Sequence, residues 1–102
     1  MVHPFIKAKL PELKMIFSRH QVKSAHLFGS ACTDAFNENS DVDFLIEPGD
    51  EPDPVIKGEN LWDLYFELQD FLNRKIDLVT RDSMKNEYFI EEVNNTSIPI
   101  YG

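Results

Sequence analysis

Gly29-Ser30-Ala31-Cys32-Thr33-Asp34-Ala35-Phe36-Asn37-Glu38-Asn39-Ser40-Asp41-Val42-Asp43 is the stretch on which the reading of this chain turns. It opens on a glycine–serine pair, runs through ten residues and closes on Asp-Val-Asp. Apolar runs flank it: Ala25-His26-Leu27-Phe28 before, and Phe44-Leu45-Ile46 after. Both read as buried strands. A strand that ends in Gly-Ser makes a tight turn whose free backbone N–H groups can face an anion. The period of two in a strand puts Asp41 and Asp43 on one face and Val42 and Phe44 on the other. Two adjacent carboxylates repel unless a cation lies between them. A phosphate cradle followed by a divalent-cation clamp is the equipment of phosphoryl or nucleotidyl transfer.

A third acid extends the pattern. Asp77 stands in Ile76-Asp77-Leu78-Val79, a run that otherwise reads as buried on both faces. A lone buried carboxylate is costly. Metal coordination, or taking the proton of an attacking hydroxyl, would resolve that cost. A salt bridge to Arg74, Lys75 or Arg81 would resolve it equally.

The spacing of Gly29-Ser30 and Asp41-Val42-Asp43, with Leu27-Phe28 before it, Phe44-Leu45 after it, the later Ile76-Asp77-Leu78-Val79-Thr80 and the Ile100-Tyr101-Gly102 ending, resembles the minimal nucleotidyltransferases of the DNA polymerase β-like superfamily. The resemblance covers nearly the whole chain. It implies an α+β nucleotidyltransferase fold, a small mixed β-sheet packed with helices in αβαβαβα order. It implies Mg²⁺ or Mn²⁺ held by Asp41, Asp43 and Asp77 as metal-binding and catalytic residues, with Gly29 and Ser30 on the phosphates of an NTP. It further points to an antitoxin that transfers AMP from ATP to a tyrosine of a co-encoded HEPN-type (higher eukaryote and prokaryote nucleotide-binding) toxin. One departure stands out. Many relatives carry an arginine soon after Gly-Ser, whereas here Ala31 follows, and residues 31–40 hold Asp34 and Glu38 but no lysine or arginine. Phosphate binding would then rest on backbone amides, the metals and basic residues from elsewhere, with Lys75 and Lys85 as candidates, and Ala31→Arg is expected to strengthen it.

Composition narrows the alternatives. At 102 residues the chain suits one domain, 1–102, with a single modest core. A 42% hydrophobic share with eight phenylalanines fits a globular protein rather than a disordered one. No apolar run reaches membrane-spanning length, and the first ten residues lack the apolar core of a signal peptide. The single cysteine, Cys32, has no internal partner, which fits a reducing cytoplasm. A net charge of −8 argues against a nucleic-acid polymer as substrate.

The remaining elements follow from periodicity. Leu10, Leu13, Ile16 and Phe17 mark a helix near Pro11 to Arg19, with Pro4 to Lys9 as a lead-in turn. Strands are expected at Val22–Phe28 and Val42–Glu47, and a short helix from Ser30 leads into a loop. Pro48 to Gly58 reads as an acidic loop. Asn60 then reads as the cap of the principal core helix, whose face is Leu61, Leu64, Tyr65, Leu68, Phe71 and Leu72. Trp62 and Phe66 fall off that face, which leaves them to cover a second element or a partner, with packing under the loop the favoured reading. Ile76–Thr80 forms a third strand, and Asp82 or Ser83 caps a last helix reaching about Val93. Asn94-Asn95 turns the chain, and Ile98 to Tyr101 makes a strand that Pro99 confines to an edge. The short gap between the first two strands leaves an antiparallel pairing open. His26 reads as a sheet residue, His3 and His20 as surface residues, and Cys32 as no nucleophile.

Two other functions compete with transfer. A domain that kept the fold without the activity would serve as a binding antitoxin. A metal-dependent phosphoesterase would use the same carboxylates, but has no need of Gly-Ser at this distance. A P-loop is excluded, because Gly-x4-Gly-Lys-Ser/Thr does not occur.

Overall fold

The computed structural model describes residues 2–102. Four helices, α1 (Pro4–Lys7), α2 (Leu10–Arg19), α3 (Pro54–Leu72) and α4 (Glu87–Thr96), accompany four strands, β1 (Val22–Phe28), β2 (Val42–Pro48), β3 (Ile76–Thr80) and β4 (Ile98–Tyr101). The strands form one mixed sheet in the order β3-β2-β1-β4. β1 runs antiparallel to both β2 and β4, and β2 runs parallel to β3 through the α3 crossover. This is the α+β fold expected from the resemblance. The antiparallel option for the first two strands is the one realised. β4 lies at an edge, where Pro99 costs no ladder hydrogen bond on its open side.

The two faces of the sheet are covered unequally, and this decides where polar groups can stand. Val42, Phe44 and Ile46 of β2 join Ala25 and Leu27 of β1 in a large cluster with Leu13, Ile16 and Phe17 of α2 and Leu64, Leu68 and Leu72 of α3. Leu45 and Phe28 point the other way, into a small cluster with Met84 and Val93. The alternation of β2 therefore leaves Asp43 on the thinly covered face, in line with Leu45.

α3 begins earlier than its sequence pattern indicates. Residues 54–58 are helical, so the acidic loop shrinks to residues 49–53. Asp53 is the N-cap, its carboxylate accepting from the Val55 N–H at 2.9 Å, and Pro54 occupies the first turn, where its missing donor costs nothing. Pro54 and Gly58 had read as loop residues, but an N1 proline and a tolerated interior glycine are compatible with helix. Asn60 is thus inside the helix. At its far end Asn73 closes the helix in the left-handed conformation, with φ of 52°. The last helix also differs. Arg81–Ser83 form a 3₁₀ turn, Asn86 caps α4 through the Tyr88 and Phe89 amides, and the helix runs through Asn94-Asn95 to Thr96.

With no long loop above them, Trp62 and Phe66 are open to solvent, 61% and 58% exposed. His20 is not a free surface group: its Nε2 lies 2.8 Å from Glu67 Oε1, and Arg19 pairs with the same carboxylate. His3 accepts the Phe5 N–H on Nδ1 and so caps α1.

The two helix starts are separable by mutation. Asp53→Ala should cost about 1 kcal/mol, the usual worth of an N-cap. Asn60→Ala should cost nothing measurable, since alanine is the better interior residue. Urea denaturation of both variants checks this, and the opposite ranking would place the cap at Asn60.

Candidate active site

Register assembles the site. In the antiparallel pair Phe28 stands opposite Asp43, and in the parallel pair Asp43 stands opposite Asp77. The ends of three adjacent strands therefore bring Gly29, Asp43 and Asp77 side by side, with Asp41 just ahead of β2. Residues that face each other across neighbouring strands share a face of the sheet. All three aspartates of the sequence motif are thus neighbours.

Gly29 is indispensable to this packing for two separate reasons. Its φ of +73° lies in the left-handed region, where a side chain is strained. A Cβ built on it would also lie 2.3 Å from Asp43 Oδ2, so the carboxylate rests directly against the glycine. Gly29–Cys32 form a 3₁₀ turn, at the start of which the Ser30 amide has no acceptor within the turn. The Ser30 hydroxyl stands 3.5 Å from the Asp41 carbonyl, which ties the turn to the start of β2.

Burial of the three carboxylates differs from the sequence expectation. Asp77 is exposed and Asp43 is half-buried, so the cost of a lone buried charge falls on Asp43 and not on Asp77. β3 is an edge strand, which is why its run of apolar residues is not covered on both sides. Burial, followed by the charges of Asp77 and Asp41, pushes the Asp43 carboxyl up to about 6. Among the described residues the ion pairs are Arg19–Glu67, His20–Glu67 and Lys23–Glu47, none of which involves these aspartates. Arg74 and Arg81 are engaged elsewhere. Arg81 donates to Asn94 Oδ1 at 2.8 Å.

Arg74 has a role that its sequence position did not reveal. Its Nη1 donates to the carbonyls of Asn37 and Ser40 at 3.0 and 2.9 Å, and its guanidinium covers the rings of Phe5 and Phe36 at 4.5 and 4.7 Å. One side chain thereby pins the segment that delivers Asp41. The planar, forked guanidinium suits two carbonyls and two rings at once, as an ammonium would not. No motif marks such a residue, because its partners are backbone atoms far away in sequence.

Ala31 is fully buried in the large cluster, and His3 donates its amide to the Ala31 carbonyl at 2.9 Å. An arginine side chain at this position would start inside the core, so Ala31→Arg cannot simply restore a phosphate contact, contrary to expectation. Cys32 is half-buried and bonds the Leu27 carbonyl through Sγ at 3.3 Å; burial raises its thiol, as suits an inert residue. His26 is lowered by burial and then by Arg81, against the opposing pull of Glu47.

The carboxylates fit a divalent cation by chemistry. They are hard oxygen donors of one charge, crowded together without a basic side chain, and Mg²⁺ and Mn²⁺ favour such oxygens. Among the described residues no group of three or more His, Cys, Asp or Glu side chains is arranged to hold a metal ion.

Residues 11–102 match the family described as polymerase beta nucleotidyltransferases, and this chain belongs to that family. A Methanocaldococcus jannaschii protein named "Putative protein adenylyltransferase MJ0128" is 32% identical over 89 residues, 83% of each chain. A solved structure described as a "putative minimal nucleotidyltransferase" superposes with a TM-score of 0.75 at 21% identity, covering 97% of this chain and 96% of the other. A tri-AMPylated Shewanella oneidensis HEPN toxin in complex with its MNT antitoxin gives a TM-score of 0.65 at 18% identity, covering 94% of this chain and 71% of the other. At these identities the two structural likenesses are likenesses of fold.

Two predictions follow from the crowding around Asp43. Gly29→Ala should lower stability by about 1–3 kcal/mol, through the left-handed φ and the displaced carboxylate, as read by denaturant unfolding. The second concerns pH in the presence of EDTA. A carboxyl raised from 3.8 to about 6 favours the folded state when protonated, so wild type loses stability as pH rises through about 6. Asp43→Asn cannot ionise. Its stability relative to wild type should therefore climb between about pH 4 and pH 6 and then level off. A constant difference across that range would mean Asp43 titrates normally.

Proposed function

We propose that this chain is a single nucleotidyltransferase domain, residues 1–102, that moves AMP from ATP to a hydroxyl of a protein partner in the cytoplasm. The observation that carries this reading is the register of Asp43 with Asp77 beside Gly29-Ser30. It sets a turn suited to phosphate directly beside carboxylates suited to a divalent cation. Family membership and the named adenylyltransferase relative support transfer of a nucleotide.

Asp41, Asp43 and Asp77 would hold Mg²⁺ or Mn²⁺, which supplies positive charge to the phosphates and acidity to the attacking hydroxyl. Ser30 offers its amide and hydroxyl to the phosphates. Gly29 keeps Cβ atoms out of the space that Asp43 needs. Asp77, the exposed carboxylate, takes the proton from the acceptor hydroxyl. The acceptor oxygen then bonds to the α-phosphorus, the bridging α–β P–O bond breaks, and pyrophosphate leaves with that electron pair. A net charge of −8 favours a neutral or basic protein acceptor over a nucleic acid. A HEPN-type toxin is the partner we assign, on the strength of the fold shared with its antitoxin.

One observation favours a second reading, that of a binding antitoxin without turnover. Residues 31–40 hold no lysine or arginine, and Ala31 is sealed in the core. A single labelling experiment separates the two. ATP carrying label at the α-phosphate should transfer it to a co-encoded HEPN-type protein, and γ-labelled ATP should not. Transfer should vanish in Asp41→Asn with Asp43→Asn. Label from the γ-position would indicate a kinase-like reaction, and none from either would support the binding protein. Mg²⁺ with ATP at 100 times its Kd should also stabilise the wild type by about 2.7 kcal/mol, and the double variant not at all.

A further inference from the structure

The sheet order leaves β3 with one neighbour, so one side of Ile76–Thr80 is a free strand edge. Beside it, between β3 and α3, runs a groove of about 420 Å³. Leu61, Trp62 and Tyr65 of α3 form one wall, Leu78 and Thr80 form the other, and Asp77 also lines it. Trp62 meets Tyr65 edge-on at 5.8 Å, and Phe66 stacks on Trp62 at 5.7 Å, so the exposed aromatics make a continuous surface beside the groove.

We propose that the acceptor polypeptide docks here as an added strand beside β3. The hydroxyl-bearing residue lies opposite Asp77, and its two sequence neighbours are apolar or aromatic side chains held against Leu61, Trp62 and Tyr65. This rests on the transfer reading above and names the part of the chain that selects the acceptor.

Three observations support the occupant. The first is position. Across the end of the sheet the order is Ser30 after β1, Asp43 in β2 and Asp77 in β3. Phosphates seated at Ser30 occupy one side, which leaves the β3 side for the nucleophile, and in-line displacement requires the acceptor opposite the leaving group. The second is alternation. A strand edge offers unpaired N–H and C=O groups, and an added strand places directly opposed residues on the same face. Asp43 and Asp77 share the face away from α3, so a residue opposite Asp77 reaches the carboxylates. Its neighbours, one position either way, point to the α3 side and into the groove.

The third observation is charge. Among the described residues that line the groove, Asp77 is the charged one, in a chain whose net charge is −8. A second copy of this chain, itself at −8, would bring like charge to Asp77 and to the chain as a whole. A segment with basic residues outside its apolar ones meets the acidic chain with opposite charge.

The test uses short synthetic peptides with a central tyrosine and lysines at both ends, differing only in the residues that flank the tyrosine. One carries valine on each side and the other serine. Amide NMR spectra of the folded chain with Mg²⁺ and a non-hydrolysable ATP analogue report where each peptide binds. The valine peptide should shift the amides of Ile76–Thr80 and the Trp62 indole, and α-labelled ATP should label it about tenfold more efficiently than the serine peptide. Trp62→Ala should raise KM for the valine peptide with kcat little changed, the nucleotide-induced thermal shift serving as the folding control. Equal handling of the two peptides, or shifts confined to β4 and α4, would overturn the groove assignment, as would no binding at all. Binding at β3 without labelling would keep the groove and refute transfer. Labelling without a flank preference would keep transfer and refute the groove.

Discussion

The crowding of Asp43 against Gly29 on one side and Asp77 on the other is the constraint on which the rest depends. It requires a residue without Cβ at position 29, because Asp43 Oδ2 fills that space. It requires the parallel register that sets Asp43 opposite Asp77. It also accounts for a carboxyl pushed up to about 6 in a chain whose other two site aspartates are exposed. Burial first, and then repulsion from Asp77 and Asp41, makes the ionised Asp43 costly. A cation bound there, as the proposed transfer requires, would offset that cost and stabilise the fold.

The unequal layers make that cost bearable. The large cluster, on the α2 and α3 side, is built from residues that alternate with the site residues along the same strands. Val42, Phe44 and Ile46 face α2 and α3, while Asp43 faces a side where Met84 and Val93 shield only Leu45 and Phe28. One strand thus anchors the core and carries the charged group, with no residue doing both. Strand order, in turn, leaves β3 at an edge of the sheet beside Asp43. Arg74 supports this arrangement from outside the sheet, holding the Asn37 and Ser40 carbonyls and so fixing the approach of Asp41.

Much of this was legible in the sequence because it obeys short-range rules. The Gly-Ser turn, the strand runs and the placing of Asp43 on the face opposite Val42 and Phe44 are each fixed within a few positions. Helix starts were less legible. Proline and glycine between residues 48 and 58 signal loop in isolation, and only Asp53 with Pro54 at N1 converts part of that stretch to helix. α4 likewise starts at Asn86 rather than Asp82 or Ser83, since Thr80 and Ser83 spend their side chains on a reciprocal cap of the 3₁₀ turn. Burial of single charged residues was the least legible. Asp77 looked buried because its neighbours are apolar, but burial depends on whether its strand is central or at an edge, and strand order is a long-range property. The same is true of Ala31, whose place in the core depends on contacts distant in sequence.

The proposed transfer requires a divalent cation to relieve the burial and repulsion of Asp43. The most direct measurement is the titration of the Asp43 side-chain carboxyl by ¹³C NMR, in EDTA and again with Mg²⁺ and a non-hydrolysable ATP analogue. The account predicts a midpoint near 6 in EDTA. With the cation bound it predicts a midpoint below about 4, the ordinary aspartate range, because the ionised form gains a partner. A midpoint already near 4 in EDTA and unmoved by Mg²⁺ would contradict it.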